Sequence, residues 1–357
     1  MINFEKTVRH ARILNPLKDF AETVIEFEYR RDPLTGRNTT VIKGMIEYIR
    51  RFLKTDESLL NSLIESTRTN CPFCPESVRS KTPMFTSDIV PEGRIEQGDV
   101  VVVPNLIGHA ERSVLAILSR QHHLKLSEFT PKIFLDALTA GLNYLKRLFK
   151  LEPNERFPVF VINYLPPAGS SIVHPHMQIL VRESPFFLVK LLLDKSEEYH
   201  LRFKSSYWSD LLEIERGHER YLFSENGVEW LVPFAPLRGI AEVQAVVPGR
   251  SNLLELTEGE LEGIARGLSK ILKFYHHESL SCFNVILLSG PLDRHLDYFD
   301  VNLRIMARPG LQGISFTDAW ALPYFLWDGE AVEEPEKQAE RIKMFLSEHG
   351  DTLKSRA

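Results

Sequence analysis

The sequence predicts an α+β protein in which one unit, antiparallel strands with a packed helix, occurs twice in tandem. Three observations point there. The order strand–helix–strand–strand is read once over 113–181 and again over 240–306. SEFT before the first helix matches LELT before the second, and the interval from Thr130 to His174 is one residue longer than that from Thr257 to Asp300. VHPHMQIL then falls opposite FDVNLRIM, so only the first copy carries histidines.

Each element has a local reason. In 26–43, DPLTG supplies a turn between β-prone flanks, a hairpin pattern. VVVVPN (100–105) and SVLAIL (113–118) read as buried strands. Thr130 and Pro131 open a helix whose apolar stripe is Phe134, Leu135, Leu138, Leu142 and Leu145. FPVFVINYL (157–165) is a strand, PPAGSS a loop, and IVHPHMQILV (172–181) a strand. The charged stretch 195–228 reads as a helical connector. In the second unit, 229–234 and 240–247 are strands. Thr257 with Glu260 forms a capping box before the stripe Leu261, Ile264, Leu268, Ile271 and Leu272. Strands over 283–288 and 298–306 follow, with a last helix over 335–348. The expected division is 1–194, a connector 195–228, and 229–357.

Composition limits the function. The chain has 357 residues, ample for a packed core without disulfides. Lys and Arg total 43 against 48 Asp and Glu, a net charge of −5, so no basic excess exists to hold nucleic acid. No apolar run is long enough to cross a membrane, and the first twenty residues lack the apolar core of a secretory signal. Three cysteines do not resemble an extracellular disulfide framework, and a cytoplasmic protein is expected.

Two motifs carry chemistry. CPFC presents Cys71 and Cys74 in a knuckle suited to one tetrahedral metal. Its flanks lack a thioredoxin-like strand and helix, and two unliganded cysteines remain the bland alternative. In HPHMQ, strand alternation puts His174, His176 and Gln178 on one face, with Met177 turned to the core. The preceding AGSS loop (Gly169, Ser170, Ser171) offers N–H groups and hydroxyls to phosphate oxygens. QHH at 121–123 could complete a metal site through one of its histidines.

With these residues in view, the chain resembles the galactose-1-phosphate uridylyltransferase family, the nucleotidyltransferase branch of the histidine-triad superfamily. ADP-glucose phosphorylase and dinucleoside polyphosphate phosphorylases are its relatives. RRDPLTG (30–36), CPFC (71–74) and NYLPPAGSSIVHPHMQ (163–178) carry the match. The resemblance implies a tandem histidine-triad-like fold and one structural zinc on Cys71, Cys74, His174 and His122, with His123 the competitor for the fourth position. It implies His176 as the catalytic nucleophile, with Gln178 beside it. Asn163, Gly169, Ser170, Ser171 and Gln178 would hold the nucleotide's phosphates. Gln178 stands where the hydrolase branch has a third histidine, which favours transfer or phosphorolysis over hydrolysis.

The expected partners are a nucleotide sugar or other nucleoside diphosphate compound and an acceptor, a sugar 1-phosphate or phosphate. A homodimer is expected, with neither nucleic acid nor membrane as partner. Departures narrow this. Met177 replaces a family Gly. Asp300, Asn302 and Arg304 leave the accessory metal site absent. Glu330 stands where a sugar-phosphate-contacting Gln is expected, putting galactose 1-phosphate in doubt. An inactive nucleotide-binding relative is the alternative from outside the enzymes.

Overall fold

The structure is a computed structural model, and it describes residues 2–238, 240–313 and 317–354. In chain order the elements are β1 (Lys6–Asn15), β2 (Ala21–Arg31), β3 (Asn38–Ile42), α1 (Met45–Leu53), α2 (Glu57–Arg68), α3 (Val78–Lys81), β4 (Ile95–Gln97), β5 (Val100–Pro104) and β6 (Arg112–Ile117). Next come α4 (Pro131–Leu151), β7 (Phe157–Tyr164), β8 (His176–Arg182), α5 (Phe187–Phe203), α6 (Tyr207–Glu215), β9 (Tyr221–Glu225), β10 (Val228–Leu231) and β11 (Val243–Val247). The chain closes with α7 (Glu258–His277), β12 (Cys282–Leu288), β13 (Val301–Arg308), β14 (Gly329–Ala331) and α8 (Pro335–Lys354).

The α+β class holds, with one large antiparallel sheet at its centre. Its order is β4-β5-β6-β8-β7-β12-β13-β11-β10-β9. Read inward from either edge, the strands follow the same sequence, with α4 and α7 at matching points of the chain. The registers agree as well. Met177 lies between Ala116 and Ile162, as Leu303 lies between Ala245 and Leu287. Two residues on, Ile179 lies between Val114 and Phe160, as Ile305 lies between Val243 and Val285. β7 and β12 form the seam, pairing Asn163 with Asn284 and Val161 with Ile286.

Strand alternation sends Met177, Ile179, Leu303 and Ile305 into one core with Phe134, Leu138, Leu268 and Leu272 of α4 and α7. Thr257 caps α7 in the predicted box, its Oγ1 accepting from the Glu260 N–H at 3.3 Å. Thr130 precedes α4 without a side-chain cap, and Pro131 supplies the start instead. The opposite face has two separate covers. Val189, Leu192, Trp208 and Leu212 of α5 and α6 pack on Val159, Leu180, Val246 and Leu288. The knuckle residues Cys71, Phe73, Cys74 and Val78 pack on Val103, Leu115 and Ile117.

The structure corrects the sequence reading in three places. The stretch 195–228 is helical only to Glu215. Its end is the edge strand β9, because Tyr221 and Phe223 pair with β10 and Phe223 stacks on Trp230. The hairpin over 26–43 belongs to a second sheet, β1-β2-β3-β14, whose first strand was not anticipated. β1 is largely exposed and lacks the alternation that marks a half-buried strand. The last helix runs to Lys354 rather than 348. Arg30 at the end of β2 fixes α8 to this sheet: it donates to Glu336 at 2.9 and 2.6 Å, and Arg220 reaches the same carboxylate at 2.8 Å.

Candidate metal centre and nucleotide site

α2 delivers the chain to the CPFC turn, where the Cys74 carbonyl accepts the N–H groups of Ser77 and Val78 at 2.9 Å each. This turn brings both sulfurs beneath the approach to β8. One donor atom from each of Cys71, Cys74, His122 and His174 lies within 4.8 Å of the others, and all four residues are buried. His174 Nδ1 stands 3.6 Å from both sulfurs, and His122 Nδ1 stands 3.5 Å from Cys74 Sγ. With Zn–S near 2.3 Å and Zn–N near 2.05 Å, a tetrahedral ion needs S···N edges of about 3.6 Å.

Both outer nitrogens are held, Nε2 of His174 by the Ser119 carbonyl at 2.7 Å and Nε2 of His122 by Thr67 Oγ1 at 3.0 Å. Such outer bonds aim the inner nitrogens. Burial and the neighbouring Cys71 push the Cys74 thiol up to about 12, so two thiolates here require a cation. Burial pulls His174 down to about 4, leaving it neutral as a ligand must be. The four residues can therefore hold one metal ion. His123, the other candidate, is turned away and stacks on Tyr164 at 6.1 Å.

β8 begins at His176, so His174 sits in the bend before it rather than on the predicted strand face. This places its ring under the knuckle and frees its carbonyl for the next histidine. His176 Nδ1 lies 2.9 Å from the His174 carbonyl oxygen. A carbonyl only accepts, so Nδ1 carries the proton and Nε2 keeps a lone pair. Burial lowers the ring's pKa, and the edge of Phe73 packs 5.3 Å away.

Gln178, on the same face, pairs with Leu115 on one side and Val161 on the other. The same cross-strand row continues through Ile286 to Arg304. Arg304 is buried and donates to the buried Glu242 at 2.5 Å. Gln178 and Asn163 remain half-buried.

The AGSS loop is more committed than its composition suggested. Gly169 N–H donates to the Pro166 carbonyl at 2.8 Å and Ser170 N–H to the Leu165 carbonyl at 3.3 Å. Ser170 Oγ donates to the Ile172 carbonyl at 2.6 Å. Gly169 and Ser170 thus shape the loop and have spent these donors. Ser171 is exposed, and its hydroxyl has no partner among the described residues. Leu165, with φ 69° and ψ 160°, is fully buried in a conformation that glycine normally takes.

The remaining predicted positions lie in the second half. Glu330 on β14 lines a cavity of about 300 Å³ with Arg238, Met45 and Trp320, and burial raises its pKa. Asp300 accepts the Gly249 N–H at 3.1 Å, and Asn302 Nδ2 donates to the Asp300 carbonyl. Sequence reasoning missed Thr67, Ser119, Asn284 and Arg308, whose partners are remote in the chain. Phe73 lay inside CPFC and could have been noticed.

No family model matches the chain. Among solved structures, a uridylyltransferase aligns with a TM-score of 0.62 and 23% identity, over 71% of this chain and 86% of its own. A GalT-like protein from Arabidopsis thaliana aligns at 0.67 and 17%, over 88% and 97%. An ADP-glucose phosphorylase from the same plant, with bound ADP-glucose, aligns at 0.67 and 18%, over 88% and 98%. The fold is thus that of the uridylyltransferase-like proteins. More particularly, the chain belongs to one family with an uncharacterized protein of Archaeoglobus fulgidus, 32% identical over 355 residues, 97% of this chain and all of that one. No described helix is long and apolar enough to cross a membrane.

Proposed function

We propose that the protein is a nucleotidyltransferase that moves a nucleoside monophosphate through a covalent bond to His176. The carrying observation is the hydrogen bond from His176 Nδ1 to the His174 carbonyl. It leaves Nε2 as the nucleophile. The Nε2 lone pair attacks the α-phosphorus of a nucleotide sugar, and the bond from that phosphorus to the bridging oxygen breaks, releasing a sugar 1-phosphate. The ring keeps its Nδ1 proton throughout and carries a positive charge against the carbonyl, so no general base is needed. An oxygen of the acceptor, a sugar 1-phosphate or inorganic phosphate, then attacks the same phosphorus and the P–N bond breaks. Gln178, Asn163 and Ser171 would meet the phosphate oxygens, since positioning and charge dominate such transfers. Gln178 cannot titrate as a third histidine would, which favours these acceptors over water.

Zinc would be held by Sγ of Cys71 and Cys74 and Nδ1 of His122 and His174. Four protein ligands give a closed site, and the ion would supply stability to the bend that carries His174. A homodimer would cover some of the exposed apolar side chains, among them Leu17, Phe20 and Phe325; sedimentation measures it.

The test offers UDP-sugars, ADP-sugars and diadenosine polyphosphates, each labelled at the α-phosphate. The true donor should leave acid-labile label on the chain, and His176→Ala should abolish it while His123→Ala should not. Donors that bind and are released unchanged, with no label retained, would replace the enzyme by a nucleotide-binding protein.

A further inference from the structure

We propose that Asn284 and Arg308, both from the second half, are positioning residues that orient the Asn163 amide so that its NH2 faces the nucleotide's phosphate. The inference rests on reading Asn163 as a phosphate contact.

An amide side chain can be placed either way round, and here donor and acceptor chemistry leaves one choice. Asp318 accepts from the Arg308 guanidinium through Nε, shared between its two oxygens, and through Nη2, which fixes that group. Arg308 Nη1 lies 2.7 Å from Asn284 Oδ1. A guanidinium only donates, so the atom facing it is the oxygen. Asn284 Nδ2 must then point the other way. It meets Asn163 Oδ1 at 2.6 Å and the Ala168 carbonyl at 2.9 Å, which uses both of its hydrogens.

The Ala168 carbonyl confirms the direction independently, because it too can only accept. Asn163 Oδ1 is thereby occupied, and its Nδ2 has no acceptor among the described residues. A phosphate oxygen needs a donor, and that is what the amide is left to present. The same Asn284 hydrogen bond pins the start of the AGSS loop. One half of the sheet therefore sets the polarity of a contact made by the other.

The experiment measures equilibrium binding of AMP and UMP, which carry the α-phosphate and cannot turn over, to the full chain and a double-mutant cycle. In Asn284→Asp the carboxylate keeps Arg308 but can only accept. Asn163 must turn its NH2 inward and show its oxygen to the phosphate. Affinity for the better mononucleotide should fall at least tenfold, with the melting temperature lowered only modestly by the lost bond to the Ala168 carbonyl. Asn163→Ala should lose affinity by a similar factor. Adding Asn284→Asp to Asn163→Ala should cost much less than in the parent, only what the lost Ala168 tether contributes, because Asn284 acts chiefly through Asn163; simple charge repulsion from the new carboxylate would add its full cost in both backgrounds.

Asn284→Ala provides a second variant should the carboxylate disturb folding, and it should weaken binding by a smaller factor as the amide becomes free to turn. Full additivity, or unchanged affinity in both Asn284 variants while Asn163→Ala loses it, overturns the proposal alone. If neither mononucleotide binds the parent chain, or Asn163→Ala binds as well as the parent, the reading of Asn163 as a phosphate contact fails and the proposal falls with it.

Discussion

Two buried side chains, Cys74 in the metal centre and Asp300 in the second half, give separate readouts of stability. In the proposed zinc site Cys74 would supply a ligand, and it packs beneath Leu115 and Ile117, so Cys74→Ser should empty the site and lower stability by about 4 kcal/mol or more, the range for a lost metal site. Elemental analysis and thermal melting measure both; full metal content with unchanged melting would refute it. Asp300 provides a pH signature. Burial raises its carboxyl to about 7, above its unfolded value, so the folded form keeps a proton that the unfolded chain releases. Its stabilising effect is present below pH 4 and is lost as pH rises toward 7. Asp300→Asn keeps an oxygen for Gly249 and removes the charge. It should melt higher than the parent at pH 8, by a smaller margin at pH 5, and the margin should vanish only below pH 4. At this scale the sequence pointed to Cys71, Cys74, His122 and His174, which the fold does bring together, because CPFC, QHH and HPH are compact motifs. It was silent on Ser119 and Thr67, a carbonyl and a hydroxyl that gain meaning only through contacts made in the fold.

Elements are held by shape and by charge in different places. Gly267 on α7 lies against Trp230 of β10, and a Cβ there would fall 2.0 Å from a ring carbon. Gly267→Ala should cost about 1–3 kcal/mol by overpacking, despite the better helix propensity of alanine. Denaturant unfolding would detect it, and a neutral result would mean the indole can move. The contact between α8 and β2 depends on charge. Arg30 and Arg220 hold the Glu336 carboxyl down at about 2 against the cost of its burial. Its contribution is present above the ordinary carboxylate value of 4.5 and is lost as pH falls toward 2. Glu336→Gln leaves Arg30 underpaired in a buried site and should destabilise by about 3 kcal/mol at pH 7, with a smaller difference at pH 3. The order of strands and helices was legible because α4 and α7 have clear apolar stripes and their flanking strands are continuous runs of Val, Ile and Leu. β1 and β9 were not. Both lie at sheet edges, where one flank is open and the pattern is weak.

Across the whole molecule, the seam between β7 and β12 makes one sheet of two similar halves. It exposes no free edge at its centre, so residues 1–194 expressed alone should present β7 as an unpaired strand and associate or precipitate, whereas the full chain should unfold in one transition. Two separated melting transitions would contradict this. The seam also carries a historical consequence. Asn163 and Asn284 face each other across it and divide a donor and an acceptor between them. Neither can change its polarity without forcing the other to turn, so substitutions at the two positions should be inherited as a pair among homologues. At that one rung the two halves of the sheet cannot vary independently.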